Sequence, residues 1–246
     1  MSRTFEVLRK VQQDQELFSI PRETNVTISE SGPTNGKASA LDLDAFAREE
    51  FRGLVHRLFL GGGEKSTRHV VFCGVDEGSG SSWICANASR SLAAESSLPV
   101  CAVDANLRNP VLHKFLPLEK GLAAPSLPGD CEFARHVTEN LWLVCGDSLG
   151  TNGDGRSLCH LQLVLGDLRG HFKYVLIDAP PLEWSKDAAI LGQWTDGIVL
   201  VLEAHSTRRA VALKAKQLLD TANVQLLGTV LNNRTFPIPE KIYRWL

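Results

Sequence analysis

Apolar residues recur along this chain in two rhythms. The near-continuous runs are His69–Cys73, Val100–Val103, Leu141–Cys145, Tyr174–Ile177, Gly197–Leu202 and Gln225–Leu231. Between them lie stretches with apolar positions at helical spacing: Ser81–Glu95, Pro110–Leu116, Leu158–Arg169, Lys186–Trp194 and Thr207–Ala222. Short apolar runs read as strands buried on both faces, and amphipathic stretches as the helices that cover them. The pattern predicts an α/β fold: a doubly wound, mainly parallel sheet with helices on both faces.

Upstream the pattern changes. Leu41 to Leu60 carries apolar residues at helix-compatible spacing and ends in Gly61-Gly62-Gly63, so a helix is expected to lead into the domain. Residues 1–20 place Phe5, Leu8, Val11, Leu17 and Phe18 among charged and amide side chains, which predicts an N-terminal amphipathic helix. Residues 21–40 are rich in Thr, Ser, Asn, Gly and Pro and are expected to be a flexible linker. The remainder, residues 41–246, is expected to form one domain.

Composition narrows the function. The 246 residues are 43% hydrophobic with a formal net charge of −2, enough apolar mass for one core and no general pull toward nucleic acid. No apolar run approaches the roughly 20 residues that span a bilayer, and the first ten residues lack the apolar core of a secretory signal. A cytoplasmic protein is expected. The six cysteines are scattered without a CxxC pair, so ordinary buried thiols are expected.

In an open parallel sheet the ligand site lies beyond the carboxyl ends of the strands. After the first apolar run comes Gly74-Val75-Asp76-Glu77-Gly78-Ser79-Gly80-Ser81-Ser82, and then a helix begins. A glycine-rich turn entering a helix offers backbone N–H groups to an anion, so Gly78, Ser79, Gly80, Ser81 and Ser82 are candidate phosphate contacts. The P-loop pattern places a lysine before its Ser/Thr, and that slot holds Ser81. Ser82 keeps the hydroxyl that would touch Mg²⁺, Trp83 after it is bulky, and Val75 replaces the small first residue of the pattern. The upstream Gly61-Gly62-Gly63-Glu64-Lys65-Ser66-Thr67 imitates the motif but precedes the first strand, so a helix terminator is expected there.

Two carboxylates follow strands. Asp104 ends the run Val100–Val103, where a carboxylate can orient a nucleophile or a metal-bound water, and Asp178 follows Tyr174–Ile177 in the form that holds Mg²⁺ through water. Asp187 stands where a phosphate-sensing switch is tied down or where a helix takes an N-terminal charge. Asn232, at the end of the last run, carries an amide able to read an adenine by two hydrogen bonds, or simply a turn.

With these motifs the chain resembles the bacterial tyrosine kinases of polysaccharide export, the CpsD/CapB group, among the deviant-Walker ATPases related to MinD and ParA. The specific matches are Val103-Asp104-Ala105-Asn106-Leu107-Arg108-Asn109-Pro110, Val175-Leu176-Ile177-Asp178-Ala179-Pro180-Pro181 and Gly228-Thr229-Val230-Leu231-Asn232. The opening Met1 to Leu8 and Phe236-Pro237-Ile238-Pro239-Glu240 also look like family segments. The resemblance implies a P-loop NTPase-like fold, with Asp104 as catalytic carboxylate, Asp178 and Ser82 on Mg²⁺, and Asn232 on adenine.

The departures carry as much information. Ser81 replaces the loop lysine, Asn106 replaces a second acid, and the family's terminal tyrosine cluster has no counterpart: the chain has two tyrosines, Tyr174 in a strand run and Tyr243 near the end. Of the oligomerisation pattern ExxRxxR, Glu49 and Arg52 match and Val55 does not. The expectation is a pseudokinase that regulates or scaffolds exopolysaccharide or capsule biosynthesis, held at the inner membrane face by the cytoplasmic tail of a membrane co-polymerase. It would bind Mg-ATP or Mg-ADP weakly or not at all, with Asp104 and Asp178 vestigial, self-association open and no nucleic-acid partner. The alternative is an active ATP-dependent tyrosine kinase or ATPase in which Lys65, Arg108 or a partner's arginine replaces the lysine.

Overall fold

A computed structural model describes residues 25–27, 45–61, 67–118, 134–149 and 156–233. The strands are β1 (Asn25–Thr27), β2 (His69–Gly74), β3 (Val100–Asp104), β4 (Ala134–Thr138), β5 (Leu141–Val144), β6 (Tyr174–Ala179), β7 (Gly197–Glu203) and β8 (Leu226–Asn232). The α-helices are α1 (Ala45–Val55), continued by a π-helical turn His56–Leu60, then α2 (Ser81–Glu95), α3 (Leu112–Phe115), α4 (Arg156–His171), α5 (Asp187–Gln193) and α6 (Arg209–Thr221). The eight strands form one sheet in the order β1-β8-β7-β2-β6-β3-β5-β4, parallel throughout except for the antiparallel pair β4–β5. The doubly wound, mainly parallel α/β expectation is met.

The period-2 rule divides the core into two layers. On β3, Val100 and Ala102 face one cluster with Phe51, Ile84 and Leu92, while Cys101 and Val103 face a second with Leu161, Leu165 and Leu219. The first layer is covered by α2, itself capped by α1 through an edge-on contact of Phe51 and Trp83 with ring centroids 5.4 Å apart. The second lies under α4, α5 and α6. Chain direction then sets the crevice: from β2 the chain runs through α2 toward β3, from β6 it returns through α5 toward β7, and these helices lie on opposite faces. A ligand crevice is expected where the winding reverses, at the carboxyl ends of β2 and β6.

Several expectations are corrected. Within the segment read as a linker, Asn25–Thr27 pairs in parallel with Thr229–Leu231 and extends the sheet edge. Ala134–Thr138 is a strand the pattern did not predict, because Val137 is the one buried residue of its five and no apolar run marks this sheet edge. Helix α3 covers only Leu112–Phe115 of the predicted Pro110–Leu116. Among the cysteines, Cys73, Cys85 and Cys101 are buried as expected, Cys145 is half-buried and Cys159 is exposed. Residues 1–20, where an amphipathic helix is expected, Lys65, Cys131, the Phe236–Glu240 segment and Tyr243 lie outside the described residues. No helix among the described residues is long and apolar enough to cross a membrane.

Candidate nucleotide site

The glycine loop sits at the end of β2 and is held from three directions. Val75 N–H donates to Val201 O of β7 at 3.1 Å. The turn after β6 donates back, Leu182 N–H to Gly74 O at 3.0 Å and Glu183 N–H to Val75 O at 3.3 Å. From β8, Asn232 Nδ2 donates to Ser79 O at 3.1 Å in a buried bond. Gly78 and Gly80 have φ of 80° and 82°, the left-handed region that a side chain resists, and a Cβ on Gly80 would collide with the Asn232 amide. These two glycines let the chain turn into α2, whose first carbonyl bond is Ile84 N–H to Gly80 O at 3.0 Å.

At the entry to α2, Ser81 is buried and Ser82 half-buried. The bulk of Trp83 does not enter the loop, because its ring turns away to pack on Phe51 of α1. That departure from the P-loop pattern is a packing choice. The Ser81 departure is different: the slot that holds a lysine in the pattern carries a hydroxyl, which leaves the backbone N–H groups at the start of α2 as the loop's own attraction for an anion.

Asp104 and Asp178 occupy opposed positions on neighbouring parallel strands. Cα partners in adjacent strands lie about 5 Å apart, and alternation turns both side chains toward α2. Asp104 Oδ2 accepts Leu112 N–H at 2.9 Å, while Asp104 Oδ1 and both Asp178 oxygens have no hydrogen-bond partner among the described residues. Three buried acceptor atoms are therefore open. Burial pushes Asp104 up to about 6, against the lowering influence of the Leu112 and Asn106 N–H groups, His113 and the Val111 N–H. Burial pushes Asp178 well above the carboxylate range, the Ser82 hydroxyl opposes this without completing a hydrogen bond, and the Asp104 charge adds to it.

The pair is short of positive charge, and this is the environment that a cation would complete. Two carboxylates and the Ser82 hydroxyl are hard oxygen donors suited to Mg²⁺, which in such sites keeps water and phosphate oxygens as its other ligands. No cluster of three or more His, Cys, Asp or Glu side chains suits a metal among the described residues, so an ion here would depend on a phosphate. The buried thiols of Cys73 and Cys85 sit close by. Burial and then the Asp178 charge push both up, so they remain protonated and take no part as ligands.

Other predicted site residues fall as follows. Asn232 is buried and spends its amide on the Ser79 carbonyl, with Oδ1 open; it ties the loop to β8, a role that its position at a strand end did not reveal. Asp187 opens α5, where it supplies a helix N-terminal charge. Asn106 is half-buried and Arg108 exposed on the turn after β3. Of the ExxRxxR positions, Arg52 pairs with Glu95 at 3.1 Å and with Glu49 at 4.0 Å, and Val55 is fully buried in the core. Tyr174 lies 5% exposed on β6, its ring edge-on to Phe59 at 5.6 Å.

No family model matches the chain. Curated relatives do. The chain is 26% identical over 192 residues to the tyrosine-protein kinase YwqD of Bacillus subtilis, covering 76% of this chain and 81% of that protein. It is 27% identical over 176 residues to the tyrosine-protein kinase CpsD of Streptococcus agalactiae, covering 68% of this chain and 76% of that protein. The fold matches the crystal structure of the chimerical protein CapA2B2 with a TM-score of 0.68 at 20% identity, over 92% of this chain and 99% of that one. In sequence the chain is thus similar to tyrosine-protein kinases named CpsD and YwqD, and in fold to the CapA2B2 chimera.

Proposed function

We propose that this chain is a non-catalytic member of its family, a pseudokinase that regulates or scaffolds exopolysaccharide or capsule biosynthesis from the cytoplasmic face of the membrane. The partner is the cytoplasmic tail of a membrane co-polymerase. One observation carries the reading: the loop, the Ser82 hydroxyl and the Asp104–Asp178 pair keep their places, while the slot for the phosphate-neutralising cation holds Ser81. A triphosphate would arrive at a turn that offers N–H groups but contains no lysine of its own to offset the charge. Losing one charged contact in a partly buried site costs about 1.5–3 kcal/mol, roughly one to two powers of ten in binding. Asn106 in place of an acid and the scarcity of tyrosines weaken proton transfer and acceptor supply separately.

Titration of the full chain with labelled ATP and Mg²⁺ tests the reading. Wild type is expected to bind no tighter than the high-micromolar range and to show no turnover, and Ser81→Lys to tighten binding by about 100-fold. Micromolar wild-type binding with turnover that Asp178→Ala abolishes overturns it.

A second reading rests on Arg108, exposed on the turn that follows Asp104 and without an ion pair among the described residues. If that guanidinium replaces the lysine, the chain is an active ATP-dependent tyrosine kinase or ATPase. A replacement arginine is worth several powers of ten in such reactions. Turnover in wild type that Arg108→Ala removes decides for this alternative.

A further inference from the structure

Beside the nucleotide loop, on the α6 side, lies a groove of about 460 Å³ that the site chemistry leaves unused. Its floor is Val75, the first residue of the loop pattern, together with Leu182 of the turn after β6. One wall is the α6 stripe Val211, Ala215 and Leu218, spaced as one helical face, and the other carries Trp184. Trp184 is 44% exposed, a large aromatic left half in solvent at the mouth of an apolar groove. Lys186 and Lys214 stand exposed on the two sides and have no ion pair among the described residues; Glu183 is the one acid in the lining.

We propose that this groove docks an acidic amphipathic segment of a partner protein, with an apolar anchor packed against Trp184, Val211 and Leu218 and carboxylates flanking it for Lys186 and Lys214. The volume suits one or two large side chains, and an aromatic wall with unpaired cations on the rim is the pattern of a specific anchor site. The charge asymmetry selects an acidic occupant over a basic one.

The groove also touches the loop. Val75 forms its floor, and the turn carrying Trp184 is bonded to the loop through Leu182 N–H to Gly74 O and Glu183 N–H to Val75 O. An occupant braces α6 against that turn and thereby steadies the backbone that frames the anion cradle. Valine at the start of the loop, unexplained by phosphate chemistry, gains a reason as a contact for the anchor. The proposal deepens the partner half of the reading above and does not depend on nucleotide turnover.

The probes are two blocked, fluorescein-labelled peptides with a Leu-Phe centre, one flanked by three Glu on each side and its twin by three Lys. Anisotropy titration of the full chain is expected to show the acidic peptide binding at least tenfold tighter than the basic one. Trp184→Ala and Lys214→Glu, both at exposed positions that folding tolerates, each weaken it about tenfold, whereas Leu163→Ala, at the most exposed leucine on α4, leaves it unchanged. Hydrogen exchange with the acidic peptide bound is expected to slow at residues 74–80. Equal binding of the two peptides, or acidic-peptide binding that survives both groove variants, overturns the proposal. So does a dimer in light scattering that Trp184→Ala dissociates, since the occupant is then a second copy of this chain. Each of these outcomes is separate from the nucleotide titration, so either reading can fail while the other stands.

Discussion

The two ends of the sheet treat their aspartates in opposite ways. At the amino end Asp196, exposed, accepts Arg68 N–H at 2.7 Å and His69 N–H at 2.8 Å and so closes the entry to β2. At the carboxyl end Asp104 and Asp178 are buried, stand side by side, and together accept a single hydrogen bond within reach of the described residues. A carboxylate placed for the fold is satisfied by the fold, because a buried unpaired charge costs several kcal/mol. A pair that the fold leaves open, at the winding reversal, carries that cost unrelieved by the described residues. The contrast separates acids that the fold satisfies from acids that it leaves open, without reference to any relative.

If that contrast is right, replacing the open buried acids stabilises the protein. The largest effect is expected at Asp178, fully buried with both oxygens open: Asp178→Asn raises the thermal midpoint more than any other single change at these acids, and calorimetry at pH 7.5 checks it. A lowered midpoint would mean that the carboxylate has a partner in solution and would break the comparison. The same variant is expected to abolish any rise in midpoint produced by Mg²⁺ with nucleotide.

Asp104 follows, with a pH signature. Its folded-state value is raised from 3.8 to about 6, so the folded protein holds this proton more tightly than the unfolded chain. The stability contribution is complete below pH 4 and is lost as pH rises through about 6. The advantage of Asp104→Asn over wild type therefore grows from near zero at pH 4 to about 3 kcal/mol above pH 7 in denaturant titrations. An advantage independent of pH would show that burial is not what raises this group.

Much of this was legible in the sequence because burial on both faces writes itself as unbroken apolar runs. Strands β2, β3, β5, β6 and β7 follow from that rule, β8 keeps an apolar run although only alternate residues are buried, the helix Ser81–Glu95 follows from its spacing, and with the strand ends come Asp104, Asp178 and the loop. What escaped had no such signature. Three residues at β1 are too few to show a period, and edge strand β4 mixes exposed and buried positions. Trp83 looked like an intrusion on the loop, since only tertiary packing shows its ring turned toward Phe51. The tie from the Asn232 amide to Ser79 O also escaped, since Ser79 is 153 residues away in the chain. Long-range partners of polar groups are set by topology, which local pattern does not encode.

The tie from β8 to the loop gives the next effect in size. Gly80→Ala is expected to cost about 2 kcal/mol, combining a left-handed φ with a collision against the Asn232 amide. Asn232→Ala removes the buried bond to Ser79 O and costs about 1–2 kcal/mol. In the double variant the collision is gone, so the combined cost falls short of the sum by a measurable coupling energy. Strict additivity would place the two residues out of contact and remove Asn232 as the support of the loop.

The smallest effect belongs to the structural acid, and it completes the comparison. Asp196→Asn keeps an oxygen facing the Arg68 and His69 N–H groups but loses the charge behind both bonds, at an expected cost of about 1 kcal/mol, opposite in sign to the changes at Asp104 and Asp178. His69 offers a readout beyond stability. Burial and then the Arg169 charge push its imidazole below the usual range, while the Asp196 carboxylate holds it up. Removing that carboxylate is expected to lower the His69 titration midpoint further, visible in the ring proton shifts. An Asp196 variant that stabilises the protein, or leaves His69 unmoved, would show that the amino-end acid is no better satisfied than the pair at the other end of the sheet.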